Sequence, residues 1–168
     1  MNPAPQSDAH AVRCDLAAEI LRSSGRLRLR VTGWSMLPTV WPGDTLLIDR
    51  SDAEGIAEGD IVLFGRDRRF FVHRVVKKNL GGSQILTRGD AMPHPDPSFA
   101  ERDLLGKVSL ILRNDKFVVP RSRLNLPERI ISALVQRSVV AARAIVALRE
   151  LLLDPGQAHL SDASLSPN

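Results

Sequence analysis

One serine of the chain lies in a turn-forming segment, and one histidine further along could serve as its base. Ser35 lies in residues 33–39, GWSMLPT, directly after a predicted strand. A serine hydroxyl is weakly nucleophilic at neutral pH and attacks only when a neighbouring base takes its proton. Of the four histidines, only His73 lies inside a predicted strand, and the unperturbed imidazole pKa of about 6.5 suits a general base. A lone strand histidine is more often structural, so the residues alone only suggest a serine–histidine site.

Two aspartates in turns are candidates for a third member of this site. Asp90 follows Arg88-Gly89, and Asp96 lies between two prolines. Turn aspartates usually bond their own backbone. In a catalytic triad, however, such a carboxylate holds the histidine in the useful tautomer and stabilises the imidazolium that forms. The spacing leaves the choice between Asp90 and Asp96 open.

The elements that must position these residues are mostly strands. Apolar residues at helical spacing between Ala11 and Leu21 predict a short N-terminal helix that ends near Gly25. From Arg26 the apolar period changes to two, which predicts a half-buried strand from about Leu27. Many short strands with few helices predict a mainly β fold with a barrel-like sheet. The further predicted strands are Thr45–Asp49, Ile61–Gly65, Arg69–Lys77, Gln84–Thr87, Lys107–Leu112 and Lys116–Val119.

A long amphipathic helix is predicted towards the C-terminus. Asn125 and Pro127 resemble a helix start, and the helix is predicted to stop near Asp154. Its apolar face is predicted to pack against the body or a second protomer, or to lie in a membrane interface. Arginines interrupt the apolar stretch, which argues against a membrane span. The residues predicted to share the apolar face are Ile130, Leu134, Ala141, Ile145, Leu148 and Leu152, opposite Glu128, Ser132, Gln136, Arg143 and Glu150.

Length and these patterns predict one β domain with helical extensions. We divide the 168 residues into an N-terminal tail and short helix (1–25), a β domain (26–120), an amphipathic helix (125–154) and a disordered tail (155–168). No secretory signal and no apolar run of about 20 residues is evident. We therefore expect a cytoplasmic protein, with peripheral membrane contact through the C-terminal helix as an alternative.

Composition narrows the classes of partner and cofactor. The net charge of +4 would suit an anionic partner, but the basic residues form no dense cluster and only 4% of residues are aromatic. A nucleic-acid surface is therefore not expected. Cys14 is the single cysteine, so neither an intramolecular disulfide nor a cysteine zinc site can form.

Five short motifs in order resemble the signal peptidase I superfamily. The specific likeness is to its serine–histidine branch, typified by the catalytic subunit of the endoplasmic-reticulum signal peptidase complex. In the bacterial branch a lysine replaces His73. The likeness covers about residues 27–112, and its motifs are SMLPT at 35–39, WPGD at 41–44 with LLI at 46–48, GDIV at 59–62, VHRVV at 72–76 and LTRGD at 86–90.

The resemblance implies a serine endopeptidase on a coiled, signal-peptidase-like β-barrel sheet over residues 26–120. It implies cleavage of a polypeptide substrate through an acyl-enzyme, with no metal or organic cofactor. Ser35 would be the nucleophile and His73 the base and then the acid, so their side chains should converge in one cleft. Asp96, or Asp90 as second candidate, would orient His73. The backbone N–H of Ser35 would help to stabilise the oxyanion.

Two departures from the family pattern bear on activity. Many members have Ser-Gly where this chain has Gly33-Trp34, and they use that earlier serine as an oxyanion donor. Gly33 carries no donor, Thr32 is adjacent, and loss of one such donor costs on the order of a hundredfold in rate. The family's N-terminal membrane anchor is also missing from the sequence, which favours a dedicated partner as substrate over general signal-peptide cleavage.

Two other functions remain open on this fold. One is a catalytically silent peptide-binding module in which Gly33 marks a decayed oxyanion site. The other is a self-cleaving regulatory protein. The related self-cleaving repressors use lysine as base and generally carry a DNA-binding helical domain ahead of the β domain. Only about 25 residues precede the first predicted strand here, which is too few for such a domain.

Overall fold

The alternating and helical patterns of the sequence appear as strands and helices in the computed structural model. It describes residues 5–67, 69–78 and 84–137, with the backbone alone for residues 5–11, 13 and 14. The elements in these ranges are α1 (Pro5–Ser24), β1 (Arg26–Arg30), β2 (Thr45–Arg50), β3 (Ile61–Arg66), β4 (Arg69–Lys78), β5 (Gln84–Arg88), β6 (Phe99–Ala100), a 3-10 turn (Glu101–Asp103), β7 (Leu104–Arg113), β8 (Lys116–Val118) and α2 (Leu126–Arg137).

The strands form one antiparallel sheet in the order β1-β2-β7-β3-β4-β5-β6, with β8 beside β7. The predicted mainly β fold is confirmed. The sheet is open and is not a closed barrel, because among the described strands β1 pairs only with β2 and β6 only with β5. At two residues, β6 is too short to continue the ladder far.

The central strand β3 is buried on both faces and separates two apolar clusters. Ile61 and Leu63 face a cluster that includes Leu21 of α1, whereas Val62 and Phe64 face a cluster with Phe99. Successive side chains of a strand point to opposite faces, so a continuous apolar run such as IVLF fits a strand that is covered on both sides. This arrangement fixes the position of β4, which pairs with β3.

The N-terminal helix is longer than the sequence predicts. It begins at Pro5 and has 20 residues, and proline is well tolerated in a first helical turn. The prediction of a short helix was wrong because it used apolar spacing, which only begins near Ala11. Leu21 is buried in the core, whereas the apolar row of Val12, Leu16 and Ile20 is exposed.

Helix α2 begins as predicted but packs through a different face. The Asn125 side chain accepts a hydrogen bond from the Glu128 backbone N–H at 3.0 Å, and Glu128 reaches back to the N–H of Asn125 at 2.8 Å. These two bonds form a capping box. Beyond the cap, Ile130 and Leu134 are exposed while Ser132 is buried.

Ile130 and Leu134 therefore do not pack against the body, and the other predicted partners of this face, a second protomer or a membrane interface, stay predictions. The amphipathic pattern could not reveal that the inward face includes the polar residue Ser132 beside Val135. The predicted helix beyond Arg137 and the tail at 155–168 lie outside the described residues. Within the described ranges, no helix is both long and apolar enough to cross a membrane.

Candidate active site

Ser35 lies in a tight turn that follows β1 and leads towards β2. The N–H of Leu37 donates to the Trp34 carbonyl at 3.1 Å, and the N–H of Val40 donates to the Met36 carbonyl at 3.0 Å. Met36 and Leu37 are buried, so the apolar residues of the turn anchor it while Ser35 stays half-buried at its surface. The turn thus presents a hydroxyl on a fixed backbone.

His73 lies in the middle of β4, where it pairs with Val62 of β3. Its side chain is 8% exposed and lies beside two aromatic rings, with centroids 6.2 Å from both Phe64 and Phe71. The imidazole therefore lies in a mostly buried environment beside aromatic rings.

The side chains of Ser35, His73 and Asp96 form one continuous row. Ser35 Oγ lies 3.0 Å from His73 Nε2, and His73 Nδ1 lies 2.7 Å from Asp96 Oδ2. The predicted convergence of Ser35 and His73 is confirmed. A carboxylate on Nδ1 holds the proton there and leaves Nε2 free to accept the serine proton.

Asp96 is held by its neighbours as a charged acceptor. Its backbone N–H donates to the Thr87 carbonyl at 2.8 Å, and its Oδ2 accepts the Thr87 hydroxyl at 2.7 Å. Burial raises the pKa of Asp96, but the hydrogen bonds from His73 and Thr87 outweigh it, so the pKa lies below its ordinary value. The loop after β5 thus delivers an ionised carboxylate to the imidazole.

Asp90, the second candidate, is bonded elsewhere. Arg74 Nε donates to Oδ1 of Asp90 at 2.7 Å, and Arg74 Nη2 donates to Oδ2 at 2.7 Å. The Thr39 hydroxyl also donates to Oδ2 of Asp90. Both oxygens of Asp90 are thereby engaged in a buried ion pair instead of bonding to His73, and the structure brings Asp96 alone of the two aspartates to the imidazole.

A second, partly buried ion pair supports the other end of the serine turn. Arg113 of β7 contacts both oxygens of Asp44, with its Nη2 at 2.6 Å from Oδ2, and Asp44 is 3% exposed. The same Nη2 donates to the Thr39 carbonyl at 2.8 Å. The Asp90–Arg74 and Asp44–Arg113 pairs therefore both hold Thr39, four residues after Ser35.

A cleft of about 450 Å³ opens onto Ser35 and His73. Its walls come from the end of β1 and the segment after it, from the start of β4, and from Ala17 of α1. Most of its lining is apolar, including Leu29, Val31, Val40 and Phe70. The cleft thus combines a reactive row with apolar walls, as binding sites usually do.

The fold and this row agree with a comparison of the chain with known families. The family described as Peptidase S24-like matches residues 3–108, which is more than half of the chain. The chain belongs to the Peptidase S24-like family. This family falls within the signal peptidase I-like superfamily and indicates a serine-peptidase or self-cleaving type of protein. No curated protein matches the chain.

The family match includes Ser35, His73 and Asp96 but ends before α2. Sequence reasoning named Ser35, His73 and Asp96 and assigned no role to Arg74, Thr39 or Thr87. All three lie in the recognised motifs VHRVV, SMLPT and LTRGD. A motif shows that a residue belongs to a site, whereas only the fold shows which partner it bonds.

Proposed function

We propose that this chain is a serine endopeptidase of the serine–histidine branch, with Ser35 as nucleophile, His73 as base and Asp96 as the residue that orients His73. The observation that carries the proposal is the row of hydrogen bonds at 3.0 Å and 2.7 Å, which opens onto an apolar cleft. These separations are within the reach that proton transfer between a nucleophile and its base requires.

The chemistry is that of a serine acyl-transfer site. His73 Nε2 takes the proton of Ser35 as Oγ attacks the peptide carbonyl carbon, and the carbonyl oxygen becomes an oxyanion. His73 then gives this proton to the leaving amine as the peptide C–N bond breaks, leaving an acyl-enzyme on Ser35. Water attacks the ester by the same route and restores the hydroxyl. Asp96 stays ionised and stabilises the imidazolium in both halves.

The oxyanion would be stabilised first by the backbone N–H of Ser35. Gly33 supplies no side-chain donor, and the next residue back, Thr32, also lines the cleft. One missing donor costs on the order of a hundredfold in rate. A slow enzyme with a dedicated substrate is consistent with this arrangement.

The cleft favours an extended polypeptide as substrate. Among the described strands, β1 pairs on one side only, and β4 pairs with β5 only from Arg74 onwards. Backbone N–H and C=O groups of β1 and of residues 69–73 are therefore open for pairing on the two sides of the cleft. An added strand gains affinity from such main-chain bonds and specificity from side-chain pockets.

Self-cleavage is the second candidate, and the family match favours it. Self-cleavage of the Ala-Gly type requires an Ala-Gly dipeptide, and the 168 residues contain none. His73 also stands where the self-cleaving repressors use lysine as base. We therefore place cleavage of another polypeptide first and treat self-cleavage as an outcome of the test.

The test uses the full chain and a proteome-derived peptide library. Wild type should produce new termini, detected by mass spectrometry, and Ser35→Ala should produce none. A serine-directed phosphonate should label wild type at Ser35 and leave His73→Ala unlabelled. Fragments of the chain itself in the wild-type sample would indicate self-cleavage. Absence of both peptide cleavage and labelling would reject the peptidase and leave a peptide-binding module.

A further inference from the structure

The inward face of α2 is bonded to a single backbone carbonyl of the β domain. The Ser132 hydroxyl donates to the carbonyl oxygen of Asp90. Gln136 Nε2 donates to the same oxygen at 3.3 Å and to Ser132 Oγ at 3.1 Å. Ser132 is 4% exposed. A serine inside a helix usually faces solvent or bonds its own helix. Ser132 instead donates to a carbonyl of another segment.

That carbonyl belongs to residues 89–91, whose other side touches the reactive row. The Ala91 N–H donates to the carbonyl oxygen of Ser35 at 2.9 Å. A Cβ placed on Gly89 would lie 2.6 Å from that Ser35 oxygen and 3.1 Å from His73 Nε2. Because the Ala91 N–H bonds the Ser35 carbonyl directly, and Gly89 lies close enough to Ser35 that a side chain would not fit, a displacement of residues 89–91 would be transmitted to Ser35.

Apolar packing reinforces the same connection. Val135 is 2% exposed and packs with Leu37 and Ala91, and Ile131 and Trp34 pack against this cluster. Leu37 lies two residues after Ser35, and Trp34 directly precedes it. Helix α2 thus contacts both the segment that bonds the Ser35 carbonyl and the turn that carries Ser35.

We propose that Ser132 and Gln136 are positioning residues of the peptidase site. Through the Asp90 carbonyl, α2 holds residues 89–91 against Ser35 and keeps its Oγ within hydrogen-bond distance of His73. This inference rests on the proposed function and concerns a helix outside the family match at residues 3–108. Neither residue lines the substrate cleft, so the effect should fall on the chemical step.

The kinetic test uses the full chain and the library peptide that wild type cleaves fastest. Ser132→Ala, Gln136→Leu and the double variant should lower kcat by about ten- to hundredfold, because small displacements of reacting groups have effects of that size. KM should stay nearly unchanged. Leu134→Ala, on the exposed face of the same helix, is the matched control and should keep wild-type kcat. A higher KM with unchanged kcat would overturn the inference.

A second measurement does not depend on activity. Amide hydrogen exchange of peptides that cover residues 89–92 should become faster in the variants and remain at the wild-type rate in Leu134→Ala. Unchanged exchange would overturn the inference even if activity fell. Gln136 is exposed, so Gln136→Leu should fold even if Ser132→Ala does not. If wild type cleaves no peptide, the proposed function fails, and exchange alone still decides whether α2 holds this segment.

Discussion

Two aspartate clusters of this protein have nearly the same composition and very different surroundings. Asp96 accepts a hydrogen bond from the Thr87 hydroxyl and another from His73, a basic side chain of β4. Asp90 accepts hydrogen bonds from the Thr39 hydroxyl and from Arg74, which follows His73 in β4. Successive side chains of a strand point to opposite faces, so one strand supplies the basic side chain of both clusters.

The difference lies in the basic side chain and in the groups that this side chain contacts beyond its aspartate. An arginine stays protonated in proteins, whereas an imidazole can gain and lose a proton near neutral pH. Arg74 also donates to the carbonyls of Gly59 at 2.7 Å and Arg121 at 2.6 Å, so its cluster is closed by structure. The His73 cluster instead ends at Ser35 on the cleft. We infer that Asp96 serves the chemistry and Asp90 the fold.

The largest expected effect is the loss of activity when Ser35 or His73 loses its reactive side chain. Ser35→Ala and His73→Ala should each lower kcat by a factor on the order of 10⁴ or more, and the double variant should cost little beyond that, since the residues act as one unit. Peptide cleavage by purified full-chain variants measures this effect. Ser98→Ala, an exposed serine near Asp96, is the control. Cleavage by correctly folded Ser35→Ala would remove Ser35 as nucleophile.

Asp96→Asn should affect rate far more than stability. An amide would no longer hold the imidazole in the required tautomer or stabilise its charge, which lowers kcat by up to about 10⁴-fold. The thermal midpoint should change by only a few degrees. Asp90→Asn in parallel should show the opposite balance, with a lower midpoint and a smaller loss of kcat. Equal losses of kcat in the two variants would contradict the division between chemistry and fold.

Arg74→Met should destabilise the chain by about 3–5 kcal/mol, because it leaves the buried Asp90 carboxylate without its partner. The side chains of Arg74 and Asp90 are 12% and 4% exposed. Urea unfolding monitored by circular dichroism measures the loss. The double variant Arg74→Met/Asp90→Leu should recover part of it, since no charge is then left unpaired. An unchanged urea midpoint in Arg74→Met would show that the ion pair does not support the fold.

Gly33→Ser should raise kcat, because it restores the donor that many relatives carry before the nucleophile. A Cβ at Gly33 meets no atom within 4 Å, so the serine has room. One added oxyanion donor should give a gain of about tenfold, below the usual cost of losing one. Gly33→Ala tests whether the hydroxyl is responsible. If alanine and serine give the same rate, the oxyanion explanation of slow turnover is wrong.

The smallest expected effect concerns the pH dependence of stability. Because the pKa of Asp96 is lower in the folded chain than its ordinary value, Asp96 stabilises the fold above about pH 4 and loses this contribution as pH falls through its folded-state pKa. Thr87→Val removes one hydrogen bond and should cost about 1 kcal/mol at pH 7.

The Thr87→Val difference should shrink as the pH falls below about 4, which urea unfolding at pH 7, 5 and 3 would detect. Thr45→Val, at a half-buried strand threonine, is the matched control. A difference from wild type that stays constant down to pH 3 would show that Thr87 does not act through Asp96.

Much of the sheet and of the reactive row could be predicted from the sequence. Short β-like runs located seven of the eight described strands. Ordered motifs located Ser35 and His73, and Asp96 was one of two candidate aspartates in turns. The two-residue strand β6 was missed, because two residues cannot show a period. The inward face of α2 was also missed. Ser132 is polar, and only its three-dimensional neighbour, the Asp90 carbonyl, explains its burial.

The choice between Asp90 and Asp96 could not be made from spacing. Both lie in turns after β5, and each could reach a side chain of β4. Packing decides the matter, because the Arg74 guanidinium bonds both oxygens of Asp90. The domain limits at 1–25, 26–120, 125–154 and 155–168 stay predictions, as do the roles of Ser35, His73, Asp96 and Asp90.

Gly89 sets a limit on how this protein can diverge. Any larger residue there would have to displace the Ser35 carbonyl, 2.6 Å from the position of its Cβ. A random mutant library selected for function should therefore retain glycine at 89 while accepting many residues at 33, where the space is open. The two glycines therefore differ in which substitutions they allow. A side chain at Gly89 would displace Ser35, whereas position 33 has room for a side chain that could add a new functional group.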